Sequence, residues 1–252
     1  MEKTKKVGLA LGGGAVLGAA HIGVLRAIEE FDIEVQYLSG TSIGALVAAL
    51  FAFGKTWQEI QEQALTLKWL DISSISLTRY GLLSNRNLGE LIIDQIGDKK
   101  IEDSTIPLAM IATDISNGTK VVLDKGSVAD AVMASTCIPG LFSPVKQGKT
   151  LLVDGGIVEN VPINTIRKMG AEFVIGVDLN AKNSYKKPKD IIDVMLNSFH
   201  FLMNQSTKYQ TQNADLLIEP DLSSFNSSNP KQVKALIEKG YEEAMKTLEK
   251  YS

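Results

Sequence analysis

Cysteine and histidine are almost missing from this 252-residue chain, which has one Cys, two His and only 6% aromatic residues. The single thiol, Cys137, can close no disulfide within the chain, and such usage fits a reducing compartment. With His21 and His200 the only imidazoles, and no CxxC or Cys/His spacing, no zinc-type ligand set is present, so neither a metal nor a cofactor is expected. Long apolar runs are absent too: no stretch reaches the roughly 18 residues of a membrane span. Val7 to Leu11, the apolar run after the N-terminal lysines, is too short for a signal sequence. Charge of one sign is also lacking, since 26 Lys and Arg stand against 29 Asp and Glu for a net charge of -3 and a pI near 5.5. Nothing in that balance draws the chain to nucleic acid. These absences lead us to expect a soluble, cytoplasmic protein.

What is present is enough apolar material, 44% of residues, to bury one sizeable core, and we expect residues 1–252 to form one domain. Strand-like and helix-like segments alternate. Val7 to Leu11 reads as a strand that runs into Gly12-Gly13-Gly14, and Leu25, Ile28 and Phe31 then recur with helical spacing. Val35 to Leu38 repeats the pattern, leading into Gly40-Thr41-Ser42-Ile43-Gly44 and a run of helix formers from Ala45 to Leu50. Further strands are expected at Leu108 to Ile115, Leu151 to Val153, Phe173 to Leu179 and Leu216 to Ile218. Helices are expected at Leu88 to Ile96, Val128 to Ser135, Ile191 to Met203 and Lys231 to Lys250. Continuous apolar strands between helices predict a three-layer α/β/α fold with a mostly parallel central sheet. Asn180 to Lys189 and Ser223 to Pro230 read as surface loops.

Three short motifs carry chemistry. Gly40-Thr41-Ser42-Ile43-Gly44 is a G-x-S-x-G between strand and helix, the arrangement in which a tight turn lifts a nucleophilic serine to a helix N-terminus. Its bland reading is a turn that merely caps the helix. Gly12-Gly13-Gly14-Ala15-Val16-Leu17-Gly18 can bring backbone N–H groups close to a phosphate or an oxyanion. Dinucleotide spacing is not met there, and no Gly-Lys-Ser/Thr follows for a phosphate loop. Asp154-Gly155-Gly156 closes a strand, where an aspartate serves either as a base or as a turn residue bonding its own backbone.

The order of these motifs, together with His21-Ile22-Gly23-Val24-Leu25 and Ala134-Ser135-Thr136-Cys137-Ile138-Pro139-Gly140-Leu141-Phe142-Ser143-Pro144, resembles the bacterial branch of the patatin-like phospholipases. The resemblance runs from Val7 to about Asp178. It implies a patatin-like α/β fold and hydrolysis of phospholipids, lysophospholipids or related fatty-acyl esters, with peripheral membrane contact as a corollary. It implies Ser42 as nucleophile, Asp154 as base, and N–H groups around Gly13, Gly14 and Ala15 as the oxyanion hole. Gly12, Gly18, Gly40, Gly44, Gly155 and Gly156 are the motif glycines. The chain departs from the pattern where Ala15 replaces glycine and Leu17 replaces a basic residue, which leaves open a noncatalytic lipid-binding reading.

Other residues have competing readings. His21 shares a helical face with Leu25 and Ile28 and reads as a packed structural residue. His200 would complete a Ser, Asp, His chain order with Ser42 and Asp154, the alternative of a histidine-dependent esterase. Cys137 reads as a small packed residue. The apolar, aperiodic stretch Trp57 to Leu83 is a candidate cap over the site, with ordinary core as its alternative. The amphipathic segment Lys231 to Lys250 reads as packing on the sheet rather than on a bilayer, because glutamates balance its lysines.

Overall fold

The computed structural model describes residues 5–66, 74–75, 81–182, 187–226 and 229–251. A central sheet has the strand order β11-β10-β1-β2-β5-β9-β8, with β6 also paired to β5. Five of these strands run parallel: β1 (Val7–Leu11), β2 (Val35–Thr41), β5 (Leu108–Asp114), β10 (Phe173–Val177) and β11 (Leu216–Ile218). The other three, β6 (Thr119–Leu123), β8 (Val145–Gln147) and β9 (Thr150–Asp154), are antiparallel to their neighbours. The mostly parallel sheet expected from the sequence is therefore present, with an antiparallel margin on one side.

Strands β1 and β10 are buried at every position, which is why their sequences are apolar without alternation. Alternation instead sorts side chains between two covered faces. Leu9 and Leu11 join the larger core, with residues of α1 (Ala20–Glu30), α2 (Ile43–Ala52), α5 (Val128–Ser135) and α8 (Val233–Glu249). Ala10 joins a smaller core beneath α6 (Ile163–Met169), with Ile163 and Ile166. The amphipathic segment expected to pack inward does so, since α8 buries Leu236, Ile237, Ala244 and Leu248 and lies along α1. The remaining helices are α3 (Trp57–Thr66), α4 (Arg86–Ile96) and α7 (Ile191–Gln210). A small second sheet pairs β4 (Gly81–Ser84) with β3 (Ser74–Ile75) and β7 (Gly140–Phe142).

The pairing around β5 brings distant motifs together. Ile111 pairs with Thr41 of β2 and Val122 of β6, while Ala112 pairs with Asp154 of β9 and Val121 of β6. Since β6 occupies one edge of β5 at both positions, β2 and β9 share the other. They meet there head-on, because β2 runs parallel to β5 and β9 antiparallel. The ends of β2 and β9, 113 residues apart in the chain, thus fall at consecutive positions of one strand.

Several expectations need adjustment. Strand β2 extends three residues beyond Leu38, and α7 continues seven residues beyond Met203. Strand β6 was not anticipated, although Asn117-Gly118, with Gly118 at φ 73°, supplies a hairpin signal before it. The loop expected from Asn180 begins with a buried residue, Asn180, and residues 183–186 and 227–228 lie outside the described set. The candidate cap divides: Trp57 to Thr66 is α3, which buries Ile60 and packs Trp57 against the core, whereas residues 67–73 and 76–80 lie outside the described set.

Candidate active site

Strand β2 ends at Thr41, α2 starts at Ile43, and Ser42 alone makes the turn, with φ 56° and ψ -127°. A non-glycine residue held at such a positive φ is strained, a state that persists only when its surroundings enforce it. The flanking glycines allow the tight turn. A Cβ on Gly40 would sit 2.4 Å from the Gly44 carbonyl oxygen, and one on Gly44 would sit 2.2 Å from that of Leu11. A side-chain hydrogen bond from α5 holds the turn: Ser42 N–H donates to Ser135 Oγ at 2.9 Å, and that hydroxyl donates onward to Ile111 O at 2.6 Å. The Ser42 side chain makes no capping bond to α2. Its half-buried side chain lies instead near the Asp154 carboxylate and lowers the pKa of that group.

Asp154 is 1% exposed. Its backbone is fixed by N–H donation to Cys137 O at 2.8 Å and by Thr113 Oγ1 donating to its carbonyl at 2.9 Å. Its carboxylate accepts from Gly156 N–H at 2.8 Å. Burial raises its pKa to about 6, and the Gly156 and Ser42 hydrogen bonds oppose that rise. The bond from Gly156 N–H is the turn-type bond expected of an aspartate there, and the Ser42 side chain lies nearby as well. Burial pushes the neighbouring Cys137 thiol up to about 12, which keeps it protonated and unreactive.

The glycine loop lies beside this pair. A Cβ on Gly13 would be 3.2 Å from Ser42 Cβ. Gly12 N–H donates to Val177 O at 3.1 Å, and Gly13 N–H donates to Asn160 Oδ1 at 3.0 Å. Neither Gly14 N–H nor Ala15 N–H has a partner among the described residues. Ala15 takes φ 51°, the left-handed conformation that alanine disfavours and glycine adopts freely. Two buried groups brace the loop. Asn180 Nδ2 donates to Gly13 O at 2.6 Å, and the ring of His21 meets Gly12 O through Nε2 at 2.7 Å. Burial holds the His21 pKa near 4, so it is a neutral donor to that carbonyl, the structural role expected of it. Leu17 is 2% exposed and packed within the larger core.

His200 stands apart. It lies on α7, and its Nδ1 is buried with no partner. Gly156 N–H is the hydrogen-bond donor to the Asp154 carboxylate, and no hydrogen bond joins that carboxylate to His200 among the described residues. Among the described residues no three His, Cys, Asp or Glu side chains converge as metal ligands, and no helix is long and apolar enough to cross a membrane. Three contributors escaped sequence reasoning: Ser135, Asn160 and Asn180. Ser135 lay inside a quoted motif, whereas the two asparagines carry no local signal, since their partners are more than 140 residues away.

Residues 9–166 match the sequence profile described as "Patatin-like phospholipase". The chain belongs to this family. Among its relatives, "Neuropathy target esterase sws" of Drosophila melanogaster is 34% identical over 185 residues, covering 70% of this chain and 13% of that protein. An "Uncharacterized NTE family protein" of Mycobacterium tuberculosis is 33% identical over 188 residues, 73% of this chain and 51% of its own length. "Lysophospholipase NTE1" of Debaryomyces hansenii is 29% identical over 207 residues, 80% of this chain and 13% of its own length. The chain therefore spans about half or less of these relatives. The structure of VipD from Legionella pneumophila superposes with a TM-score of 0.70 at 14% identity, covering 98% of this chain and 67% of that one. That likeness shows the patatin fold. The family is the one that the motif order resembled.

Proposed function

We propose that the chain hydrolyses fatty-acyl esters through Ser42 and Asp154, without histidine, metal or cofactor. The observation that carries this reading is the strained Ser42 placed beside a buried carboxylate whose pKa is raised to about 6, where β2 and β9 end at consecutive positions of β5. An ordinary aspartate near 3.9 is a poor base at neutral pH, and burial brings Asp154 into a useful range. Asp154 takes the Ser42 proton as Oγ attacks the ester carbonyl. The tetrahedral oxyanion is held by the free N–H groups of Gly14 and Ala15, with Gly13 N–H joining them if Asn160 yields it. The N-terminus of α2 favours the developing negative charge. Collapse expels the alcohol, which takes the proton back from Asp154, and leaves an acyl group on Ser42. Water then gives a proton to Asp154 and attacks the acyl carbonyl, and breakdown returns the proton to Ser42 and frees the acid.

The family membership and the lysophospholipase and esterase names of its relatives support a lipid ester as substrate. A fluorophosphonate probe tests the reading. Covalent labelling at Ser42 is expected, together with hydrolysis of lysophospholipid or long-chain esters that Ser42→Ala abolishes. A folded protein that neither labels nor hydrolyses any such ester would establish the noncatalytic alternative.

A further inference from the structure

Helix α7 is amphipathic in the reverse sense to α8. Six of the eleven exposed large hydrophobic side chains among the described residues lie on it: Ile191, Val194, Met195, Phe201, Leu202 and Tyr209. Steps of three, four or seven residues put them on one stripe, completed by the uncharged Ser198 and Gln205. The opposite stripe holds buried Met203 and Thr207. Ile191, Leu202 and Tyr209 are 71–73% exposed, from the first turn to the last. Met195 lies against Gly140, but Ile191, Leu202 and Tyr209 leave an apolar stripe outward that packing among the described residues does not account for.

The helix is also pinned to the candidate site. Met203 Sδ would be 2.9 Å from a Cβ on Gly156, and Gln210 both donates to Val158 O at 3.1 Å and accepts from Asn160 N–H at 2.9 Å. Its outward stripe therefore lies about one helix diameter, ~10 Å, above the turn that carries Asp154. Lys187, Lys189 and Lys208 make no ion pair among the described residues, while Asp178 and Glu219 line a cavity together with Phe201 and Lys208. The neighbouring acids, Asp190 and Asp193, turn to backbone N–H groups at the helix start, those of Asp193 and Lys189 at 2.9 Å each.

We infer that the outer face of α7 is a docking surface for an anionic lipid bilayer, which brings the ester-bearing surface to the Ser42 site. An apolar stripe bordered by unpaired lysines matches a membrane interface, where apolar side chains enter the acyl boundary and lysines meet lipid phosphates. The purpose of docking rests on the lipid-ester reading, whereas docking itself is measurable without turnover.

The test uses the full chain as Ser42→Ala, with sedimentation on vesicles of phosphatidylcholine alone or with 30% phosphatidylglycerol, a ratio of order chosen to give a clear surface charge. The protein is expected to bind the mixed vesicles, and Ile191→Gln/Leu202→Gln/Tyr209→Gln to lower partitioning at least ~10-fold. Lys187→Gln/Lys189→Gln/Lys208→Gln should weaken binding to the mixed vesicles only. In the Ser42 background, the apolar triple variant should keep turnover of a water-soluble short-chain ester and lose turnover of vesicle-borne ester. A Leu202→Trp reporter, which leaves the stripe apolar, should blue-shift on vesicles and be quenched by brominated lipid. Failure of the full chain to bind mixed vesicles, a triple variant that binds like its parent, or a Leu202→Trp spectrum unmoved by vesicles each overturns the inference. So does a change from dimer to monomer in the triple variant with vesicle binding intact, which would mark the stripe as a contact between copies.

Discussion

Asp154 and Asp178 are near twins in local structure. Each sits at the C-terminal end of a strand, β9 or β10, and each is almost fully buried, 1% and 5% exposed. Each accepts a hydrogen bond from the backbone N–H two residues on, Gly156 at 2.8 Å and Asn180 at 2.9 Å. Burial raises both to about 6, with the charge of Glu219 adding to the rise at Asp178. Only their partners differ. Asp154 lies beside a strained serine, whereas Asp178 borders a cavity of about 340 Å³ and positions the loop through Asn180. A raised pKa is thus the consequence of burial at a strand end, and the role we propose for Asp154 comes from what lies against it.

The comparison breaks most visibly at Asp154. Asp154→Asn should cut hydrolysis by ~10²–10⁴-fold, the usual consequence of removing a general base, while circular dichroism shows the fold retained. A smaller effect, retained turnover above one-tenth, would make the two aspartates equivalent and remove the dyad.

The pH profile sharpens the comparison. Activity should rise with pH through a single limb near 6, since Asp154 must be ionised to accept the Ser42 proton. Asp178→Asn should leave that limb in place and change turnover only a few-fold through the loop. Stability should respond differently. A carboxylate whose folded pKa is above its usual 3.8 lowers stability as pH rises from about 4 to 6, because the unfolded chain ionises it more readily. The melting temperature of Asp178→Asn, relative to the parent, should therefore be higher at pH 7 than at pH 4. A limb that moves with Asp178→Asn would assign the titration to the wrong aspartate.

The smallest effect is expected at His200. His200→Gln should stay within about threefold of the parent, because its ring makes no bond to Asp154. A loss in the ~10²-fold range with folding preserved would replace the dyad with a triad.

Much of this was readable from the sequence because it is local. A glycine on each side of Ser42 announces a turn that only glycine fits, and continuous apolar runs announce strands covered on both faces. Helix α5 was read to the residue and β11 likewise, since both have clear apolar periods or bounded runs. Strand β6 was missed because Lys120 and Thr119 dilute its apolar signal, and one side of it faces solvent. The loop from Asn180 is present and exposed among its described residues except at Asn180 itself, which is buried for a different cause. Polar composition marks surface in general, but this amide is spent on the Gly13 carbonyl within the core.

The sequence by itself determined the strand and helix alternation, the elbow at Ser42 and the glycines that make room for it, because these depend on backbone conformation and on neighbours within a few residues. Tertiary structure alone decided that Ser42 and Asp154 meet, since that follows from β2 and β9 ending at adjacent positions on one edge of β5. It also decided which loop amides are free, since Asn160 takes the Gly13 N–H from 147 residues away. Burial by the folded whole raises Asp154, and no local pattern encodes how much water the fold excludes.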